Sequence, residues 1–408
     1  MSEIAGELVV LSIHGPADHS DILSRFASLR VSCAQDLKFR SEANQCRFFA
    51  ALRMTDFRES ERAQHDSTFE TASPLERFGS HMELAAGILG TGSVLPEKVL
   101  TNSELEKMVE TSDRWITERT GIKERHMAGP GETTSTLSVR ASVKALEMAG
   151  IAPQDLDLII CSTISPDMPL PSTAALIQRD LGARACCAFD LAAACSGFLF
   201  GITVAEQFIA SGKCKRVLVV GAELLSRYVD YKDRATCVIF GDGMAAAVLG
   251  PATPPSGILA SDLHTEGLYA DHLYIPAGGT ACPASPETIA GGGHYIKMRG
   301  NELFKVAVRS MEEVSRQVLE KAHICADQID LFVPHQANQR ITEAVRERLG
   351  VSREKVYSNI DRIGNTSSAS IPICLDECVR SGRLKRGDLV LMAAFGAGVT
   401  WGAVLMRW

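Results

Sequence analysis

Ala152-Pro-Gln-Asp-Leu-Asp-Leu-Ile159 is met again, lightly altered, as Cys325-Ala-Asp-Gln-Ile-Asp-Leu-Phe332. Each copy sets a turn and an aspartate before a run with strand character. The likeness extends outward. A long amphipathic helix is predicted before each copy, over Thr136–Gly150 and over Asn301–Ala322, with Gly150 ending the first. Farther on, Ser211-Gly-Lys-Cys-Lys-Arg216 is mirrored by Ser381-Gly-Arg-Leu-Lys-Arg386, at an offset of 170 residues. A repeat this long is too large for a solenoid unit and predicts two packed α/β halves. Pro251-Ala-Thr-Pro-Pro255 marks the boundary, giving halves at 83–255 and 256–408.

Between these landmarks the pattern is regular. Strands are predicted at Ala85–Leu89 (closed by Gly90-Thr-Gly92), Leu156–Ser162, Ala185–Asp190, Val217–Gly221 and Ile329–Val333. Ala235–Phe240 and Ala245–Leu249 read as a strand pair around Gly241-Asp-Gly243. Helices are predicted from Ser103 behind a Thr101-Asn102 cap, from Asp113, and over Ser172–Leu181 and Ser196–Ala210. Residues 1–82 look foreign to this order. Val9–Ile13 could form one short strand, and the rest is polar without a period. A disordered extension, or a true start at Met82, is the expectation for that segment.

At 408 residues the chain can bury a large core, and 46% hydrophobic with only 6% aromatic residues suits close helix–sheet packing. A net charge of −7 argues against binding nucleic acid or an anionic membrane. No apolar run reaches membrane-spanning length, and the N-terminus lacks a basic region followed by an apolar core, which argues against a secretory signal. Twelve cysteines without framework spacing read as reduced thiols of a cytoplasmic protein, and no spacing suggests a metal site.

Asp190-Leu-Ala-Ala-Ala-Cys195-Ser-Gly197-Phe198 joins a strand to a long apolar helix. An arbitrary cysteine is most often a small buried hydrophobe. Cys195 differs because it sits where the helix dipole and free backbone N–H groups favour a thiolate and lower its pKa. Adding the 170-residue offset to Cys195 reaches Asn365, in Ile-Gly-Asn-Thr-Ser-Ser. The other repeat sets Ser162 against His335, in Val-Pro-His-Gln-Ala-Asn-Gln. A lone histidine after proline, or a lone Asn-Thr-Ser, reads as structural. All three at strand ends on one edge predict a ligand site.

These stretches carry a family resemblance. Thr111-Ser-Asp-Arg-Trp-Ile-Thr-Glu-Arg-Thr-Gly-Ile-Lys-Glu-Arg-His126, Ala193-Ala-Cys-Ser-Gly-Phe198 and Ile239-Phe-Gly-Asp-Gly243 form one series. Gly300-Asn-Glu-Leu-Phe-Lys-Val-Ala-Val308, Pro334-His-Gln-Ala-Asn338, Gly364-Asn-Thr-Ser-Ser-Ala369 and Ala394-Phe-Gly-Ala-Gly-Val-Thr-Trp-Gly402 complete it. With these motifs, residues 83–408 resemble β-ketoacyl-acyl carrier protein synthase III of the thiolase superfamily. The resemblance implies a thiolase-like α/β fold, with its duplicated halves in a five-layer αβαβα arrangement.

It also implies a two-stage Claisen condensation without a cofactor. Cys195 takes the acyl group of a short acyl-coenzyme A, acetyl foremost. Malonyl-acyl carrier protein then loses CO₂, and its carbanion attacks the acyl-enzyme. His335 and Asn365 would stabilise the enolate. The backbone N–H groups of Cys195 and Ala397 would form the other oxyanion hole, although the family usually has glycine at the latter position. Trp115, Arg119, Arg234 and Thr111 resemble contacts to the nucleotide of coenzyme A. Gly300, Phe304 and Asn338 resemble the pantetheine channel. Lys305, Arg340, Arg348 and the run Gln336-Ala337-Asn338-Gln339 resemble the rim for an acidic carrier protein. Glu347 stands where a basic residue is common. Leu170 matches the residue that reaches across a homodimer to floor the partner's acyl pocket. The alternative reading is a paralogue of secondary metabolism with another acyl starter. A type III polyketide synthase usually has a Gly-Phe-Gly-Pro-Gly loop, which Phe395-Gly-Ala-Gly398 is not. A Cys–His–Asn hydrolase would lack the duplicated halves, and a non-catalytic carrier-protein-binding module would not need all three polar residues.

Overall fold

Glycine decides how closely the first strand meets its helix. Strand β1 (Ala85–Val94) passes helix α3 (Thr134–Ala149) so closely that a Cβ on Gly90 would lie 2.5 Å from the Ala145 carbonyl oxygen. Gly90 and Gly92 therefore do not close the strand, as the sequence suggests; they are packing sites inside it. The structure, a computed structural model, describes residues 85–408. The expectations for Val9–Ile13, for residues 1–82 and for a start at Met82 lie outside the described residues.

The N-terminal half continues with α1 (Asn102–Leu105), α2 (Asp113–Thr120), β2 (Leu158–Ser162), α4 (Thr173–Asp180) and β3 (Cys187–Leu191). It ends with α5 (Gly197–Ala210), β4 (Val217–Leu224), α6 (Arg234–Cys237) and β5 (Asp242–Ala252). Its sheet has the order β1-β5-β4-β2-β3, parallel from β4 through β3 and antiparallel elsewhere. Ala235–Phe240 is not a strand. Asp233 accepts from the Ala235 N–H and starts the single helical turn α6, and Phe240 makes only an isolated bridge to Asn365. The buried, alanine-rich β5 pairs instead with β1 and β4.

The second half is β6 (Gly257–Thr265), α7 (Gly300–Lys321), β7 (Leu331–Pro334), α8 (Gln339–Leu349), α9 (Ser370–Arg380), β8 (Leu389–Gly396) and β9 (Thr400–Arg407). The order β6-β9-β8-β7, with β7 and β8 parallel, repeats that of β1-β5-β4-β2. The partner expected beyond β7 shrinks to one parallel bridge, Phe332 to Val356.

Helices α5 and α9 lie between the sheets. Phe198 and Ile202 of α5 and Ile371 and Leu375 of α9 share one buried cluster with Val219 of the first sheet and Val390 of the second. Outside, α3 and α4 cover the first sheet, and α7 and α8 cover the second. The result is five layers, αβαβα. A helix apolar on all sides is what a middle layer requires.

The duplication corrects one reading of the sequence. Leu158 corresponds to Leu331 and Gly197 to Ser370, an offset of 173 residues, and the left-handed Ala194 (φ 45°) and Ser367 (φ 49°) keep it. Helix α5 has 14 residues and α9 has 11, and the connection to the next strand is longer after α9 (residues 381–388) than after α5 (residues 211–216). The 170-residue offset holds only after this shortening. The counterpart of Cys195 is therefore Ser368, and Asn365 lies three residues earlier in its loop.

Candidate active site

Cys195 belongs to a single helical turn leading into α5 and is 7% exposed. The turn is held by Ser196 Oγ donating to the Thr400 carbonyl (3.0 Å) and by Thr400 Oγ1 donating to that of Ala193 (2.8 Å). Gly396, ending β8, presses against it: a Cβ there would lie 2.6 Å from the Cys195 nitrogen. The sequence predicts a lowered thiol pKa. Burial works the other way and pushes it up to about 12, with the Ser367 hydroxyl pulling it down in part. Desolvation outweighs the helix terminus, so the unliganded site holds a neutral thiol.

His335 follows β7 and is tied to the sheet by its N–H, which donates to Ala393 (2.8 Å). Its Nδ1 lies 2.6 Å from Ser370 Oγ at the start of α9. That oxygen also accepts the Gln336 N–H at 3.4 Å, and Nδ1 is the one acceptor in reach of its hydrogen among the described residues, so the serine proton is assigned to Nδ1 and the ring hydrogen to Nε2. Nε2 is buried and has no partner among the described residues. Burial lowers the imidazole pKa to about 3 and keeps the ring neutral. Asn365 is strapped to the chain after α6, its N–H donating to Ile239 and its carbonyl accepting from Gly241, both at 2.9 Å. Its Oδ1 accepts the Ser367 N–H at 2.8 Å, which turns Nδ2 outward as a donor.

Cys195, His335 and Asn365 line the inner end of one cavity of 480 Å³, whose outer walls carry Trp115, Arg119, Phe304, Lys305, Asn338 and Arg340. A second cavity of 220 Å³ opens from Cys195 between apolar walls that include Ile164, Leu225, Ile275 and Ile296. The cavities thus meet at the sulfur. Glu223 on β4 is fully buried beside the second one. Its Oε2 accepts from Ser165 Oγ (2.7 Å) and the Ile164 N–H (3.3 Å), and its Oε1 lies 3.2 Å from Ser367 Oγ and 3.1 Å from Ser368 Oγ. Burial raises its carboxyl pKa to about 7. Neither Glu223 nor Ser370 is singled out by the sequence reading. The signal for Glu223 was a lone carboxylate in the apolar run Leu218–Leu225.

Two family models match the chain: 3-oxoacyl-[acyl-carrier-protein] synthase III over residues 189–267, and the C-terminal region of the same synthase over 319–408. A β-ketoacyl-[acyl-carrier-protein] synthase III of Symbiobacterium thermophilum is 54% identical over 322 residues, covering 79% of this chain and 98% of that relative. The chain belongs to the β-ketoacyl-[acyl-carrier-protein] synthase III family. The crystal structure of the Aquifex aeolicus synthase III is similar at a TM-score of 0.74 and 50% identity, over 79% of this chain and all of that one. The priming β-ketosynthase of the R1128 polyketide pathway is similar at 0.75 and 34%, over 79% and 96%. The fold is thus thiolase-like, and the family's reaction is the condensation that starts fatty-acid synthesis.

The synthase III motifs fall at the outer cavity in part. Trp115 lies between two guanidinium groups, Arg119 at 5.0 Å and Arg234 at 4.8 Å from its ring centroid. Arg340 stacks on Phe304 at 5.4 Å, and Asn338 Nδ2 donates to the Arg119 carbonyl (3.0 Å). Gly300 and Ala337 are lining residues. Thr111 is not; its hydroxyl is buried without a partner among the described residues. Gln336 is fully buried, donating to the Pro334 carbonyl, so it cannot touch a carrier protein. Gln339 caps inward contacts to Ser358 and Glu343. Arg348 sits at the far end of α8 from the cavity, paired with Glu312. Ala397 has no left-handed φ, so its methyl group is accommodated without strain. Leu170 is 84% exposed and stands away from this chain's own Cys195 cavities.

Proposed function

We propose that the 480 Å³ cavity receives the pantetheine arm of a short acyl-coenzyme A, and then that of malonyl-acyl carrier protein. The cavity runs from the cation-flanked Trp115 to Cys195, and this path carries the reading. Cys195 attacks the thioester carbonyl, and the coenzyme leaves as a thiolate. The backbone N–H groups of Cys195 and Ala397, which have no acceptor among the described residues, receive the developing oxyanion. The acyl chain lies in the apolar 220 Å³ cavity. Malonyl decarboxylation then places charge on a thioester oxygen, which His335 Nε2–H and Asn365 Nδ2–H stabilise as neutral donors. Neutral donors suit this step, because neither adds a charge to a buried site.

The working unit is a homodimer in the cytosol. Edge strand β3 is half-exposed, and Leu170 and Met168 are exposed on the loop before α4. A further apolar cavity shares Ile164, Ala194 and Ala397 with the acyl cavity. Leu170 of the partner subunit would enter there. The cysteines among the described residues are free of disulfides, which supports the reducing compartment.

A panel of acyl-coenzyme A starters, offered with malonyl-acyl carrier protein or malonyl-coenzyme A, tests the reading. We expect radiolabel from the starter on Cys195, condensation with the carrier-bound malonyl group, and loss of both in Cys195→Ser. Full condensation by Cys195→Ser would overturn it. Preference for a long or unusual starter would move the enzyme to secondary metabolism.

A further inference from the structure

Glu223 is a buried carboxyl with no part in the steps above. Four groups from two loops converge on it: Ile164 and Ser165 after β2, and Ser367 and Ser368 before α9. Its partners are hydroxyls and one amide; no cation pairs with it among the described residues. The ionisable groups that feel its charge are Cys161 on β2, Cys195 before α5 and Tyr228 after β4. Ser367 joins it to the site. The Ser367 hydroxyl reaches Glu223 Oε1 (3.2 Å), and Ser367 lines the 220 Å³ cavity together with Cys195, while its N–H donates to Asn365 Oδ1 (2.8 Å).

The proton count of these hydroxyls is informative. Ser368 Oγ has one hydrogen and two acceptors in reach, the Ser162 carbonyl at 2.8 Å and Glu223 Oε1 at 3.1 Å. With that hydrogen on the Ser162 carbonyl, the shorter bond, it presents a lone pair toward a protonated Oε1. Oε1 sits between a hydroxyl that can donate into it, Ser367, and one that can accept from it once it is protonated, Ser368. This is a site made to receive a proton.

We propose that Glu223 holds the proton of the Cys195 thiol during acyl transfer, passed through the Ser367 hydroxyl. The S–H bond of Cys195 breaks as an O–H forms on Ser367. The original Ser367 O–H breaks as one forms on Glu223 Oε1. The sulfur pair attacks the thioester, and the coenzyme thiolate leaves to take a proton from water. When the carbanion later expels the Cys195 thiolate, Glu223 returns the proton by the same path. The pair therefore carries one negative charge at rest and none in the acyl-enzyme, and never two. The proposal rests on Cys195 being the acyl acceptor.

The test is the pH dependence of Cys195 alkylation by iodoacetamide in the intact enzyme, read by mass spectrometry of the Cys195 peptide. In the wild type the rate should rise and level off once Glu223 is ionised, near pH 7. In Glu223→Gln, which keeps the shape and loses the proton site, the plateau should vanish and the rate climb tenfold per pH unit. Ser367→Ala, which cuts the path while leaving the Glu223 carboxyl in place, should behave alike and serves if Glu223→Gln does not fold. Wild-type profiles in both variants would overturn the proposal. Absence of any acyl label on Cys195 would instead sink the reading of Cys195 as acceptor, so the two failures are distinguishable.

Discussion

His335 Nε2 is a buried donor that stays neutral, because burial depresses its ring pKa from 6.5 to about 3. Its protonation state is constant across the physiological range, so malonyl decarboxylation should be flat from about pH 5 to 8. An inflection near 6.5 that disappears in His335→Gln would contradict this. The same depression acts on folding. The unfolded imidazole takes a proton first, so this residue's contribution to stability is lost as pH falls from 6.5 toward 3. At this scale the sequence is legible where a motif marks the residue. Cys195 and His335 follow strands, Asn365 is reached through a repeat offset three residues out of register, and the three share a cavity. Their electrostatics were not legible: a helix terminus shows in the pattern, whereas the desolvation that raises the Cys195 thiol depends on tertiary closure, with Gly396 pressed against the turn. Gln336 misled because its motif neighbours line the cavity while its own side chain turns into the protein to bond Pro334.

Strand β8 ends at Gly396 with only a hydrogen where its neighbour Cys195 passes. In Gly396→Ala the new methyl would meet backbone rather than a flexible side chain. It can be relieved only by moving the turn before α5 away from Ala397. Acyl transfer to Cys195 should then fall on the order of 100-fold, as a displacement near 1 Å allows. Decarboxylation, which uses donors on β7 and the Asn365 loop, should fall much less. Equal losses in single-turnover assays of the two half-reactions would show that Gly396 acts through general stability instead. Element identity was mostly readable from periodicity and caps, as with Gly150 ending α3. Three failures have physical causes. The glycines of β1 looked like breakers but serve close packing. The stretch before β5 was assigned to strand, although Asp233 nucleates a turn there. The shortened α9 displaced the repeat register by three residues, which no offset measured downstream of it could reveal.

The whole chain carries a net charge of −7, yet Arg119, Lys305 and Arg340 gather at the outer end of one cavity. A local positive field on an anionic body steers acidic partners and is screened by salt. Arg340→Glu should raise KM for malonyl-acyl carrier protein about tenfold, roughly 1.4 kcal/mol, with little change in kcat. The dependence of kcat/KM on ionic strength should flatten as well. Unchanged KM at low salt would remove Arg340 from the docking surface. Helices α5 and α9 lie side by side in the core, and each begins at the cavity, one behind Cys195 and the other beside His335 and Asn365. The spacing between the sulfur and the enolate donors is consequently set by two helices buried in the core, as on a ruler cut into it. Surface loops can drift through evolution or be rebuilt by an engineer without changing that spacing. A single methylene added between the two helices cannot.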